Sequence, residues 1–281
     1  MALPLGFNLN EFVTGTLAED LGIGGDVTSA ATMRGEAQFT AAIIAREPIT
    51  VAGLEIAAAM FHALDPEVEI AELADDGDRI DTGGILMKLE GNARAMLAAE
   101  RSALNTLQHL SGIATLTRRY VDEIAGTGAI LIDTRKTIPG LRVLDKYAVR
   151  MGGAQNHRMR LDDGVLIKDN HVAACGGVAE AVKRAKAANT GLEVQVEVDR
   201  LDQIEPALAA GASHLLLDNM APDTLREAVA LIAGRVPSEA SGGVRLDTIA
   251  AIAATGVTYV SVGRLTQSAP AADIGLDFTP L

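Results

Sequence analysis

Fixed positive charge is concentrated between Asp133 and His171, in the run DTRKTIPGLRVLDKYAVRMGGAQNHRMRLDDGVLIKDNH. Its eight Arg and Lys outnumber five Asp, so the segment is net +3 inside a chain of formal charge −13. Arg135-Lys136 sets a planar guanidinium fork, suited to a carboxylate, beside a point charge suited to a phosphate. Asn156-His157-Arg158 follows Gly152-Gly153, a pair that lets the backbone bend and turn both side chains toward one ligand. Lys168 closes an apolar run, where an amine can bind an anion or act as an acid. Glu197 and Asp218 end the next two apolar runs. Two carboxylates on a face crowded with cations either neutralise Lys168 and Arg135 or meet Mg²⁺, sugar hydroxyls or a developing positive charge. Ser241-Gly242-Gly243 and Val262-Gly263 offer backbone N–H groups that a phosphate can approach closely.

These residues recur at one place in a repeating pattern. From Ala129 onward the chain alternates a short apolar run, a turn, and a stretch with helical apolar spacing, which is the pattern of βα units. The strands predicted are 129–133, 164–168, 192–198, 213–218, 236–241 and 258–262, with helices over 141–151, 178–188, 201–210, 222–233 and 246–255. Charged or phosphate-compatible residues at the end of every strand are costly inside a buried parallel sheet. At the carboxyl edge of an α/β barrel they converge on the face where such folds place their sites. The first half differs: 36–46, 68–74 and 85–90 alternate like half-buried strands, and 54–64 and 93–110 read as helices. The fold expected is α/β, with an N-terminal α/β sandwich domain (1–111) leading near Ser111-Gly112 into an α/β barrel (112–281) whose parallel sheet is either closed or open.

Composition narrows the partners. Hydrophobic residues make up 48% of 281, ample for a packed core, and the sequence pI near 4.8 argues against nucleic acid or an anionic membrane as the main partner. Aromatics are only 3% and Trp is absent, which disfavours base-stacking platforms. The single Cys175 excludes an internal disulfide. Together with a Met1–Asn10 start lacking signal-peptide character and the lack of an apolar run of spanning length, it points to a reducing cytoplasm. His62, His109 and His214 stand alone on apolar stretches and read as satisfied core or surface histidines. Gly22-Ile23-Gly24-Gly25-Asp26 lacks the preceding strand of a nucleotide loop. Within the island, Arg142, Lys146 and Arg150 fall on a helix and are assigned structural roles, while Arg160 has none.

The chain resembles the quinolinate phosphoribosyltransferase family over nearly its whole length. The resemblance is carried by EDLGIGGDVTS (19–29), ERSALNTLQHLSGIAT (100–115), the DTRKT to KDNH run, VEV around Glu197, LLLDNM (215–220), EASGGV (239–244) and SVGRLTQSA. It implies an N-terminal α/β sandwich domain plus an incomplete (open) α/β barrel, and transfer of a phosphoribosyl group from phosphoribosyl pyrophosphate to quinolinate with decarboxylation, giving nicotinate mononucleotide in NAD biosynthesis. It further implies that Arg135, His157 and Arg158 hold the two carboxylates, joined by Arg101 from a neighbouring subunit, with Lys136 and Lys168 facing the substrates. Glu197 and Asp218 would take the ribose hydroxyls and the Mg²⁺ that accompanies phosphoribosyl pyrophosphate. Ser241, Gly242, Gly243 and Gly263 would cradle the 5′-phosphate, and Thr134 and Val262 complete the substrate-binding set. Lys136, Lys168, Glu197 and Asp218 are the catalytic candidates. A homodimer, or a hexamer built as a trimer of dimers, with an inter-subunit site is implied as well. Ala154, Arg160, Arg264 and Gln267 depart from the family pattern and bear on loop shape. A related protein associated with molybdenum transport and a non-catalytic dicarboxylate-binding barrel are the rival readings; the intact NHR to LIKDNH stretch, with Glu197 and Asp218, favours the enzyme.

Overall fold

The computed structural model describes residues 3, 4 and 6–280; Met1, Ala2, Leu5 and Leu281, and with them part of the Met1–Asn10 start, lie outside the described residues. The chain forms two compact units, one of residues 1–118, 143–153 and 269–281, the other of 119–142 and 154–268.

The first unit opens with helices α1 (Leu9–Leu21) and α2 (Val27–Thr32), the latter capped by Asp26, whose carboxylate accepts the Thr28 and Ser29 N–H groups. There follow β1 (Gln38–Ala45), β2 (Ile49–Thr50), α3 (Leu54–Leu64), β3 (Glu69–Glu72), β4 (Arg79–Ile80) and β5 (Ile85–Asn92). Alternation along β1 turns Ala41, Ile43 and Ala45 inward, as expected of a sheet with one buried face. Helix α4 was expected to end at Leu110, but it runs unbroken over Ala93–Glu123. Gly112 is therefore no helix stop. A Cβ there would collide with the Pro270 carbonyl and lie 3.1 Å from Ala271 Cα, so the glycine serves a close backbone approach.

In the second unit the parallel strands are β6 (Ile130–Ile132), β7 (Val165–Ile167), β8 (Val194–Val198), β9 (His214–Asp218), β10 (Ser238–Ser241) and β11 (Tyr259–Ser261). Their helices are α5 (Arg142–Met151), which falls mainly in the first unit, α6 (Asp169–Cys175), α7 (Val178–Ala187), α8 (Ile204–Ala209), α9 (Pro222–Ile232), α10 (Ile249–Ala253) and α11 (Arg264–Gln267). The helix expected over 201–210 begins as a 3-10 turn, and that over 246–255 contracts to α10. Strand order β6-β11-β10-β9-β8-β7 leaves β6 and β7 as edges, so the sheet is open, as an incomplete barrel requires. A final strand that the sequence pattern did not reveal, β12 (Ile274–Pro280), returns to the first unit. It pairs antiparallel with β1 and completes the sheet β12-β1-β5-β3.

Period-two alternation sorts the parallel strands into faces. Val194, Val196 and Val198 share one side of β8, leaving Gln195 and Glu197 together on the other. Likewise His214 and Asp218 share a side of β9, and Glu239 and Ser241 a side of β10. Polar residues therefore occupy two successive levels along these strands, the upper one at the carboxyl ends.

Candidate anion-binding site

Two loops meet beyond β6. Asp133 is fully buried and accepts hydrogen bonds from Asn156 Nδ2 (2.6 Å) and from the His157 N–H (2.8 Å), so it anchors the Asn156-His157-Arg158 turn. Thr134 Oγ1 accepts the Lys136 N–H (3.1 Å), and the Lys136 carbonyl accepts from Thr266 Oγ1 (2.7 Å). A Cβ on Gly263 would lie 2.8 Å from Lys136 Cδ, so glycine there makes room for the lysine stem. Val262 is buried and gives its N–H to the Ile132 carbonyl. Arg142 donates to Thr137 Oγ1 (3.1 Å) and to the Met159 carbonyl (3.2 Å), tying the two loops as the structural reading expects.

Arg135 and Arg158 differ from Arg142. The Nε of each is buried and has no hydrogen-bond partner. Arg158 donates through Nη1 to the Gly164 carbonyl (2.6 Å), which leaves the rest of its fork available. Burial, and then the neighbouring Arg135 cation, lower the pKa of Arg158. Two partly desolvated guanidiniums of like charge are unfavourable together unless an anion joins them.

His157 points into the lower level of the sheet. Its Nδ1 accepts the Arg158 N–H (2.7 Å), and Nε2 lies 3.2 Å from Gln195 Oε1 and 3.6 Å from Glu239 Oε2. Gln195 Nε2 in turn donates to Glu239 Oε2 (2.6 Å). His214 is not the isolated histidine expected. It stacks on Tyr259 with ring centroids 5.5 Å apart, its Nε2 lies 3.6 Å from the same Glu239 oxygen, and burial lowers its pKa.

Lys168 stands at the start of α6, where its N–H donates to His171 Nδ1 (2.9 Å) and its Nζ pairs with Glu197 Oε2. Asp218, on the adjacent strand, has its pKa raised by burial and then by Glu197. Asn219, in the left-handed conformation at φ +54°, donates to Asp218 Oδ2 (2.6 Å) and gives its N–H to the Ser241 carbonyl (2.8 Å). Gly242, at φ +95°, faces Asn219 so closely that a Cβ would lie 2.6 Å from Asn219 Cγ. Arg160 is exposed and pairs with Asp162 (2.9 Å), and Arg101 is exposed on α4 in the first unit.

The second unit thus gathers Thr134, Arg135, Lys136, His157, Arg158, Lys168, Glu197, Asp218, Ser241 and the glycines at the ends of its strands. Sequence reasoning missed Gln195, Glu239 and Asn219. The available signal for the first two was their period-two spacing from Glu197 and Ser241. Among the described residues no group of three or more His, Cys, Asp or Glu forms a metal site.

A parallel α/β sheet that collects unspent guanidinium nitrogens, a lysine and two carboxylates at its carboxyl ends defines an α/β-barrel site for small polyanions. Residues 113–277 match the C-terminal domain of quinolinate phosphoribosyl transferase and residues 26–111 match its N-terminal domain. The chain belongs to this family. It is 44% identical to a probable nicotinate-nucleotide pyrophosphorylase [carboxylating] of Bacillus subtilis over 93% of this chain and 90% of the relative. It is 43% identical to the Mycobacterium leprae nicotinate-nucleotide pyrophosphorylase [carboxylating] over 93% and 94%. Solved nicotinate-nucleotide pyrophosphorylases from Francisella tularensis (TM-score 0.92, 39% identity, 96% of each chain) and Ehrlichia chaffeensis (0.94, 38%, 98% of this chain and 100% of that one) share the fold.

Proposed function

We propose that the protein transfers the phosphoribosyl group of phosphoribosyl pyrophosphate to quinolinate with loss of CO₂, forming nicotinate mononucleotide and pyrophosphate. The observation that carries this reading is the pair of buried, unpartnered Nε donors on Arg135 and Arg158. Two such cations on adjoining loops suit a rigid dicarboxylate, and family membership names which dicarboxylate the relatives process. Quinolinate is a dianion and its co-substrate a polyanion, so their approach in water is electrostatically opposed. A cationic wall of half-buried Arg135 and Arg158 with the more exposed Lys136 and Lys168 reverses that penalty and orients the ring nitrogen toward C1 of the ribose. The N–C1 bond forms as the bond from C1 to pyrophosphate breaks. The ring nitrogen, now cationic, accepts the electron pair of the departing carboxylate, and the carbon left behind takes a proton. Glu197 and Asp218 face developing positive charge at C1 and the ribose hydroxyls.

Mg²⁺ enters as part of the pyrophosphate substrate. Glu197 and Asp218 fit an ion that brings its own phosphate oxygens, since Mg²⁺ is held by one or two carboxylates plus substrate rather than by a full protein cage. Ser241, Gly242, Gly243 and Gly263 take the 5′-phosphate. The functional division is 1–111 and 112–281, supported by family matches that meet between residues 111 and 113. We place the enzyme in the cytoplasm as a homodimer or trimer of dimers, with Arg101 of one subunit completing its neighbour's site; the exposure of Arg101 supports that role. No described helix is long and apolar enough to cross a membrane.

Purified protein mixed with quinolinate, phosphoribosyl pyrophosphate and Mg²⁺ is expected to release CO₂ and pyrophosphate in equal amounts. Quinolinate binding without CO₂ release would refute the reading. For the shared site, Arg101→Ala mixed with Lys168→Ala should regain activity through hybrid assemblies; hybrids that form but stay inactive would place Arg101 elsewhere.

A further inference from the structure

Beneath the rim, the hydrogen-bond donors of the lower level run in one direction. The Arg158 N–H points at His157 Nδ1 (2.7 Å), so that nitrogen must carry a lone pair. The proton of a neutral ring then sits on Nε2, which faces Gln195 Oε1 (3.2 Å). The Gln195 amide is oriented by its other end, where Nε2 donates to Glu239 Oε2 (2.6 Å). Each member satisfies the next, and a protonated ring would set two N–H groups against each other at Nδ1. Gln195 is 7% exposed and Glu239 1%, so both groups are shielded from bulk solvent. The backbone N–H groups of both His157 and Arg158 are thus held from below, by Asp133 and by the His157 ring respectively. Arg158 carries one of the two unpartnered Nε donors of the site.

We propose that Glu239 and Gln195 are positioning residues of the carboxylate-binding turn: they fix His157 as the neutral Nε2–H tautomer, and the ring acts as a strut under Arg158 instead of a cationic ligand for the substrate. The proposal rests on the reading of Arg158 as a quinolinate ligand. The strut differs from the role the family resemblance implies for His157, because both ring nitrogens are already occupied within the protein. Loss of the strut lets the turn relax and costs ground-state binding of the dicarboxylate, while Ser241, Gly242, Gly243 and Gly263 keep their places.

Two measurements test it. In protein carrying ¹⁵N-histidine, the ring signals that vanish in His157→Gln should show the neutral Nε2–H form at neutral pH; an imidazolium or an Nδ1–H ring overturns the strut. In Gln195→Met, of similar shape but unable to bridge, KM for quinolinate should rise about tenfold, with kcat and KM for phosphoribosyl pyrophosphate held within about threefold. Glu239→Gln keeps an acceptor for the Gln195 amide and should hold near-native constants. Equal losses in all three constants for Gln195→Met, or losses of the same size in Glu239→Gln, also overturn it. If Gln195→Met does not fold, Gln195→Asn keeps the amide but is one methylene too short, and the same comparison applies. Should the unaltered protein fail to consume quinolinate, the functional reading falls, and the ring spectrum still decides the strut.

Discussion

Buried carboxylates occur in both units, and their surroundings differ in an instructive way. In the first unit Asp145 is fully buried and bonded to His109 Nε2 (2.8 Å). Asp76 accepts the Gly53 N–H (2.8 Å), the Leu54 N–H (3.1 Å) and the Tyr147 hydroxyl (2.6 Å). Burial, and then Asp76, push the Tyr147 phenol far above its ordinary pKa, so it stays a donor. These groups fix the start of α3 and the body of α5. In the second unit Asp133 and Glu239 are equally buried, yet the turn they hold leads directly to a guanidinium nitrogen with nothing to bond. A buried charge alone therefore marks architecture. A buried charge that braces an unspent donor marks a site.

Mutations can break this contrast. Arg135→Ala should weaken quinolinate binding by about 3 kcal/mol, roughly two orders of magnitude, in calorimetry. Arg142→Ala removes a loop tie and should act mainly on Tm; equal affinity losses would erase the distinction between the two arginines. Asp76→Ala strands three donors and should cost about 2–3 kcal/mol of stability in urea titration while the folded enzyme keeps its kinetic constants. A change in those constants would show that the first-unit network is not purely architectural. Gly242→Ala meets both a φ of +95° and the Asn219 side chain, and should lose about 1–3 kcal/mol, read as weaker phosphoribosyl pyrophosphate binding. The smallest effect concerns pH. The raised pKa of Asp218 means that ionisation is less favourable in the fold than in the unfolded chain, so its contribution to stability is lost as pH climbs through the folded value. Asp218→Asn should therefore gain slightly in Tm over the parent at neutral pH, and the gain should vanish below the ordinary aspartate value of 3.8. A gain that persists in acid would assign it to packing.

Strand ends were readable because a parallel sheet forbids stray charge in its middle, so Lys168, Glu197 and Asp218 had one sensible location. Local pattern was silent on β12, whose partner β1 lies over two hundred residues away in sequence. Gly112 misled because a glycine needed for close approach looks the same in sequence as one that ends a helix. Gln195, Glu239 and His214 stayed hidden for a related reason. Each is polar within an apolar strand, but their convergence depends on register between strands, which only the assembled sheet specifies. The long cationic run was informative in another way. Its residue types singled out Arg135 and Arg158 and its helical spacing set Arg142 apart, while only the fold shows the hydrogen bonds on which Arg142 is spent.

The two-residue step from Gln195 to Glu197 constrains how this protein can change. One residue inserted into or removed from β8 would exchange the inward and outward sets of side chains at a stroke, taking Gln195 and Glu197 off their shared face together. Length variation should therefore accumulate in the loops beyond the strand ends and be purged from the strands themselves. Altered substrate preference would have to come by replacement in place, with the residue under the rim and the residue on it substituted as a pair.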